Sequence, residues 1–235
     1  MNSLSLYKKF DNGSFVMLID NTKERYLATQ NLDPENSVYG EKLIKLDDLE
    51  YRIWEPFRSK LAAAILKNLE DNPIKESSSV LYLGASTGTT VSHISDIVGN
   101  KGVVFAVEPS ARVAREFLEN VASRRKNVIP ILMDARDYLH YYSYYGLVDV
   151  VYSDIAQPDQ TDIAINNCKS YLKKDGHLVI IIKTRSIDVL MDPKQVTKNE
   201  AKKLERNNFD ITQIVNLEPF DKDHSLIHAK FRGLT

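Results

Sequence analysis

The sequence contains one cysteine, Cys168, so no disulfide can close within the chain. That excludes a small extracellular domain stapled by cross-links and leaves packing to hold the core. No apolar run approaches the roughly 20 residues of a membrane helix. Residues 1–10 lack the apolar h-region of a secretory signal, and a soluble intracellular protein is expected. Net charge is nearly absent: 31 basic side chains stand against 32 acidic ones, for −1 at pH 7. The whole-molecule field therefore does not draw in a polyanion, and nucleic-acid binding must use a local patch or a partner. Arg124-Arg125-Lys126 and residues 194–206 are the basic candidates, although Glu200 and Glu205 make the second read as a solvated helix face. At 235 residues the chain suits one well-buried α/β domain with a small appendage.

What is present is organised around residues 79–91, reading SVLYLGASTGTTV. The apolar run 80–83 lies between serines and a glycine-bearing segment, so it reads as a buried strand that breaks into a tight turn before a helix. Gly84 and Gly88 let the backbone come close to a ligand. Thr89 and Thr90 place hydroxyls and free N–H groups at the helix start, where the dipole favours an electron-rich group. Such a turn suits a nucleotide-like cofactor. Its spacing is not the dinucleotide fingerprint G-x-G-x-x-G, so the neighbouring strand ends have to identify the ligand.

Residues 1–50 hold strand-like pieces at 14–19 and 25–29, a turn-rich link at 20–24, and further short pieces at 38–40 and 43–44. They suggest a small antiparallel N-terminal domain. Residues 54–69 change character, with Phe57, Leu61, Ala64, Ile65 and Leu69 spaced as the core face of a helix. From there strand and helix alternate. Strands are predicted at 80–84, 102–107, 128–133, 147–153 and 177–183, with helices near 89–98, 112–123, 161–172 and 194–207. Strands at 211–217 and 225–231 close the chain. The alternation specifies a parallel sheet covered on both faces, and the last two strands add an antiparallel pair.

In an open α/β sheet, ligands bind outside the carboxyl ends of the strands. The residues there are polar in a consistent way. After the first strand comes the glycine turn. After the second comes Glu108, at about the 20-residue offset where an acid takes ribose hydroxyls. Asp134-Ala135 follow the third strand, able to meet an adenine edge; Asp154-Ile155-Ala156-Gln157 follow the fourth, and Lys183 ends the fifth. A competing motif overlaps the turn. Gly84-Ala85-Ser86-Thr87-Gly88 fits G-x-S-x-G, the nucleophile elbow of serine hydrolases, with Ser86 as nucleophile and Asp154 and His177 or His224 following in order. A hydrolase elbow follows several sheet strands and an oxyanion loop, and nothing of that kind precedes residue 80.

The segments YRIWEPFRSKLAAAIL (51–66), VLYLGASTGTTVSHISDIVG (80–99), VFAVEPSARVARE (104–116), DVVYSDIAQPDQ (149–160) and EPFDKDHSLIHAKF (218–231) resemble the fibrillarins, in particular the archaeal fibrillarin-like rRNA/tRNA 2′-O-methyltransferases. The resemblance runs essentially end to end. It implies a Rossmann-like α/β fold with a mostly parallel seven-stranded sheet (residues 51–235), preceded by a β-rich domain (1–50). It implies S-adenosyl-L-methionine as methyl donor and a ribose 2′-hydroxyl of rRNA or tRNA as acceptor. The implied partners are a box C/D guide RNA, a Nop-domain scaffold and a kink-turn-binding ribosomal-type protein, with no membrane, no metal and, for an archaeal member, a cytoplasmic setting. Carried over by position, Gly84, Ala85, Ser86, Thr89, Thr90, Glu108, Pro109, Asp134, Ala135, Asp154, Ile155, Ala156 and Gln157 line the cofactor, and Lys60, Asp154, Lys183 and His224 form the catalytic set. The alternatives are the Ser86 hydrolase and a non-catalytic subunit of an RNA–protein complex.

A ribose hydroxyl is a poor nucleophile at neutral pH, so such a site has to align it with the methyl group and help remove its proton. Lys183, emerging from a buried strand, is placed to do so with Asp154 positioning it; Lys60 and His224 would orient the ribose and its phosphate. The choice of base among the four stays open. Residues 138–145, reading YLHYYSYY, fit either base stacking or packing at a protein contact.

Overall fold

A computed structural model describes residues 4–10, 15–141 and 146–234. An antiparallel five-stranded sheet forms first, from β1 (Ser5–Phe10), β2 (Phe15–Ile19), β3 (Arg25–Gln30), β4 (Leu43–Leu46) and β5 (Leu49–Ile53), in the order β1-β2-β3-β5-β4. Val16, Leu18, Ala28, Tyr51 and Ile53 make its small core. The strand β5 runs through Ile53, so the boundary expected after residue 50 falls inside a strand. Residues 38–40 form no strand. The Glu41 carboxylate accepts the N–H groups of Val38 and Tyr39 at 2.9 and 2.8 Å, and this local bonding replaces a ladder.

The helix expected over 54–69 is shorter: α1 spans Lys60–Leu66. Trp54 instead continues the sheet, its N–H donating to the Leu27 carbonyl at 2.7 Å, and Pro56 disfavours helical geometry at Glu55. Phe57 is therefore not on the core face of a helix; it is 68% exposed.

The second sheet has seven strands, β6 (Ser79–Leu83), β7 (Val103–Val107), β8 (Val128–Ile131), β9 (Val148–Ser153), β10 (Leu172–Lys183), β11 (Phe209–Asn216) and β12 (His224–Phe231), in the order β11-β12-β10-β9-β6-β7-β8. The pairs from β8 to β10 are parallel, and β12 is antiparallel to both β10 and β11. Successive residues of a strand face opposite sides, so Val80 and Tyr82 enter one core with Leu61, Val91, Ile94 and Ile97, whereas Leu81 and Leu83 enter the other with Ile163, Val196 and Leu204. The helices covering the faces are α2 (Thr89–Val98), α3 (Ala111–Phe117) with a π-helical turn at 118–122, α4 (Gln160–Tyr171), α5 (Thr184–Ile187) and α6 (Pro193–Glu205). Because β6 has β7 on one side and β9 on the other, strand order reverses at β6 and a crevice opens beyond its carboxyl end.

Candidate active site

The chain leaves β6 through three positive-φ residues, Gly84 at +86°, Ser86 at +51° and Gly88 at +92°. A Cβ on Gly84 would stand 3.0 Å from the backbone oxygen of Asp154, and one on Gly88 would meet the Phe117 ring at 2.6 Å. Glycine is what lets the turn press against the loop after β9 on one side and α3 on the other. The N–H groups of Gly84 and Ala85 both donate to the Val107 carbonyl, at 2.9 and 3.0 Å.

Glu108, at the end of β7, ties the turn down further. Its Oε2 accepts the Ser86 N–H at 2.9 Å and its Oε1 accepts the Ser110 N–H at 3.0 Å. An ionised carboxylate has about four lone-pair sites, so each oxygen keeps capacity for a ribose hydroxyl. The start of α2 and the acid beside it thus fit an adenosine-bearing cofactor. Thr89 opens that helix, but the Thr90 hydroxyl points elsewhere, donating to Ser59 Oγ at 3.0 Å just before α1. Pro109, Ala156 and Gln157 are exposed, Ala135 is buried and Ile155 packs against the core. Asp134 caps the 3-10 turn that follows it, accepting the Arg136 N–H at 2.8 Å. Arg136, overlooked in the sequence, spans the rim: its guanidinium reaches Asp134 at 3.4 Å, Gln157 at 3.3 Å and Asp159 at 2.7 Å.

Next to this crevice the structure brings Lys60, Asp154 and Lys183 together. Lys183 Nζ lies 2.8 Å from Asp154 Oδ1 and 2.9 Å from its backbone oxygen, while Lys60 Nζ lies 3.2 Å from Oδ2. Each lysine is fixed by its element: Lys60 is the first residue of α1, and Lys183 ends β10 directly opposite His224 on β12. His224 joins indirectly. Its Nδ1 stands 2.9 Å from Asp221 Oδ1 and 2.7 Å from the Lys222 carbonyl, and Asp221 Oδ2 is 3.8 Å from Lys60 Nζ. Asp221 is a member that sequence reasoning missed, although it sits three places before His224 in a segment already singled out. Beneath the cluster Tyr82 and Tyr152 stack at 4.6 Å. Burial above all holds both hydroxyls well above the ordinary tyrosine range, helped by the Asp154 charge at Tyr82 and by Tyr82 and then Asp154 at Tyr152, so they stay neutral.

The hydrolase triad does not assemble. His177 pairs in register with Val150, which pairs with Val80, so it lies level with the start of β6 while Ser86 follows its end. His177 instead faces His228, Nδ1 to Nε2 at 2.9 Å. Two of the three residues of the first basic candidate are engaged within the chain, Arg124 with Asp33 at 2.6 Å and buried Arg125 with Asp96 at 2.5 Å, which leaves the exposed Lys126. Of the tyrosine-rich segment, Tyr141 stacks on Tyr171 at 5.3 Å and bonds Asn167, which is packing; residues 142–145 lie outside the described ones. Among the described residues no group of three or more His, Cys, Asp or Glu side chains could hold a metal, and no helix is long and apolar enough to cross a membrane.

Strand order, the glycine turn and the acids at successive strand ends define a Rossmann-like methyltransferase of the S-adenosylmethionine-dependent class. The fibrillarin family model matches residues 7–233, and the chain belongs to the fibrillarin family. A relative from Saccharolobus solfataricus, described as a fibrillarin-like rRNA/tRNA 2′-O-methyltransferase, is 52% identical over 233 residues, covering 99% of this chain and 96% of its own. The crystal structure of Aeropyrum pernix fibrillarin with natively bound S-adenosyl-L-methionine aligns with a TM-score of 0.87 at 41% identity over 97% of both chains. The crystal structure of a fibrillarin/Nop5p complex aligns with a TM-score of 0.79 at 42% identity, over 87% of this chain and 93% of that one.

Proposed function

We propose that this protein transfers a methyl group from S-adenosyl-L-methionine to a ribose 2′-hydroxyl of rRNA or tRNA, as the catalytic subunit of a box C/D guide RNA complex. The observation that carries this reading is that Lys60 and Lys183 grip opposite oxygens of Asp154, whose own backbone presses on the Gly84 turn. One residue thereby links the proton-handling side chains to the cofactor turn. The cofactor, when bound, supplies an electrophilic methyl group. Glu108 would take its ribose hydroxyls, the stretch Asp134-Ala135 its adenine edge, and the loop 154–157 the remaining wall. Lys183, as the free amine, would take the proton of the attacking hydroxyl, whose oxygen gains the methyl group as that group's bond to the sulfonium sulfur breaks and a neutral thioether is left. Asp154 holds it in place, while Lys60, Asp221 and His224 orient the ribose and its phosphate.

The net charge of −1 and the commitment of Arg124 and Arg125 to internal partners leave little to neutralise phosphates, so the lone chain should bind RNA weakly. A scaffold supplies what is missing. The fibrillarin/Nop5p complex supports a Nop-domain protein in that role, with a guide RNA and a kink-turn-binding ribosomal-type protein completing the assembly. The test is reconstitution from purified parts followed by mapping of 2′-O-methyl groups. Methylation at one guide-paired ribose, negligible with the chain alone, is the expected result; equal rates at the same site on unguided RNA would overturn the dependence on a guide.

A further inference from the structure

Phe57 and Phe220 come from distant parts of the chain and meet edge to face, ring centroids 5.2 Å apart at 70°. Phe57 is 68% exposed, and its pairing with a second ring makes an open apolar feature rather than a lone exposed side chain. Both rings stand at the polar cluster. Phe57 lies in the loop leading to Lys60, Phe220 adjoins Asp221, and the Lys60 ammonium is 3.8 Å from Asp221. We propose that the pair is a ridge that seats in the shallow minor groove of paired RNA, against the sugars flanking the acceptor ribose. The proposal rests on the RNA methyl-transfer reading above and adds the element that docks the substrate.

Three features favour a groove over a flipped base. In an A-form duplex the 2′-hydroxyls line a minor groove that is wide and shallow. The cluster they must reach is recessed at its centre and open at its rim, with side-chain exposures of 14% for Asp154 and 16% for Lys183 against 23% for Lys60 and His224 and 31% for Asp221. A hydroxyl presented on the surface of a duplex can meet such a site without leaving the stack. Second, bases stack on open ring faces, whereas in an edge-to-face pair the edge of one ring covers a face of the other. Apolar edges suit sugar C–H groups better. Third, Arg58 follows directly, its guanidinium 4.7 Å over the Tyr39 ring and donating to the Tyr39 carbonyl at 3.2 Å. A cation held one residue along the chain from Phe57 suits a strand's phosphate next to its sugar. A protein seated on the rings would cover Lys60 and Asp221, the groups that have to meet RNA.

The test uses the reconstituted complex and a guide-paired substrate, with affinity read by fluorescence anisotropy and turnover read separately. Phe57→Ala should weaken substrate affinity roughly tenfold, the scale of uncovering most of one aromatic ring, and Phe220→Leu, which keeps an apolar side chain, by less. Phe57→Tyr should restore it, while both Phe57 variants leave the melting temperature and the affinity for S-adenosyl-L-methionine unchanged. The tenfold ratio should persist on a substrate whose acceptor nucleotide is abasic. Loss of the ratio on that substrate would mean a stacked base and overturn the groove assignment. Weakened binding of Phe57→Ala to the Nop-domain scaffold would assign the rings to a protein contact, and unchanged RNA affinity would deny them any role. A wild-type complex that bound RNA yet transferred no methyl would sink the methyltransferase reading, with the ridge still judged on affinity.

Discussion

Asp96 on α2 meets Arg52 on β5 at 2.9 Å, with neither side chain reached by solvent. The contact is part of a buried junction. Arg125 approaches the same carboxylate at 2.5 Å, Thr29 donates its hydroxyl to it at 2.7 Å, and Arg52 continues to Glu41 at 2.6 Å. The N-terminal sheet is thus bolted onto the helix whose first turn faces the cofactor crevice. A charge cluster of this kind is held by completeness: each guanidinium is tolerable in the interior only because a carboxylate answers it.

Removing that carboxylate should therefore be expensive. Asp96→Ala leaves Arg125 without its buried carboxylate and Arg52 with Glu41 as its one remaining carboxylate partner, a loss of about 3–5 kcal/mol in stability. Urea unfolding monitored by circular dichroism measures it. A midpoint equal to that of the wild type would show that the junction contributes nothing.

Gly84→Ala separates cofactor binding from folding. The new Cβ would press on the Asp154 backbone oxygen at 3.0 Å in a left-handed conformation that alanine resists. The loop carrying Asp154 has to move, and affinity for S-adenosyl-L-methionine should fall roughly tenfold or more while the far-ultraviolet spectrum is retained. Calorimetric titration decides it, and unaltered affinity would mean that the close approach of the two loops is incidental.

The parts of this architecture legible in the sequence are those written in local pattern. Residues 89–98 were predicted as a helix and form one, because a glycine turn precedes a stretch whose apolar spacing repeats with the helical period. The strands β6, β7 and β9 and the later part of β10 were readable as mostly apolar runs buried on both faces, and the half-exposed edge strand β8 as a shorter one, their ends within a few residues of those expected apart from an earlier start to β10. The strand β1 was not, since nearly all its side chains are exposed and no alternation marks it. Nor was β5, where a buried Arg52 makes sense only with Asp96 opposite, far along the chain. Phe57 keeps helical spacing with Leu61 and Ala64, and only Pro56 and the sheet contact of Trp54 take it out of the core. At the site, Lys183 announced itself by emerging from a buried run. Lys60 and His224 carried no local signal and rested on family resemblance, and Asp221 and Arg136 required the fold.

Acid should weaken the fold through buried imidazoles. Burial, then the facing His177, pushes His228 down from the usual 6.5 to about 4, and burial with the charges of Arg52 and Arg125 holds His93 well below its ordinary value. For a depressed histidine the unfolded chain binds the proton first, so stability is full above about pH 6.5 and falls as pH drops toward about 4. His228→Gln, which leaves His177 in place, should flatten part of that slope. Thermal melts between pH 7.5 and 4 would show it; identical slopes in both proteins would remove His228 as a contributor.

The polar cluster makes the sharpest demand of all, because Lys183 and Asp154 are argued to act as one device. Lys183 Nζ touches both the carboxylate and the backbone oxygen of Asp154, so removing either residue leaves the other without its placement. Asp154→Ala and Lys183→Ala should each lower turnover by about 10²-fold or more, the scale of lost acid–base help. Groups that work as a unit are grossly non-additive, so the double variant should be scarcely slower than the worse single one. Lys60→Ala, which loses one of the two lysine contacts to the Asp154 carboxylate and leaves Lys183 bonded, should cost less. Single-turnover kinetics in the assembled complex separate these outcomes from defects in assembly or cofactor binding. If the two single losses simply multiplied in the double variant, the residues would be acting independently, and if both single variants kept wild-type turnover, proton removal would have to be assigned elsewhere.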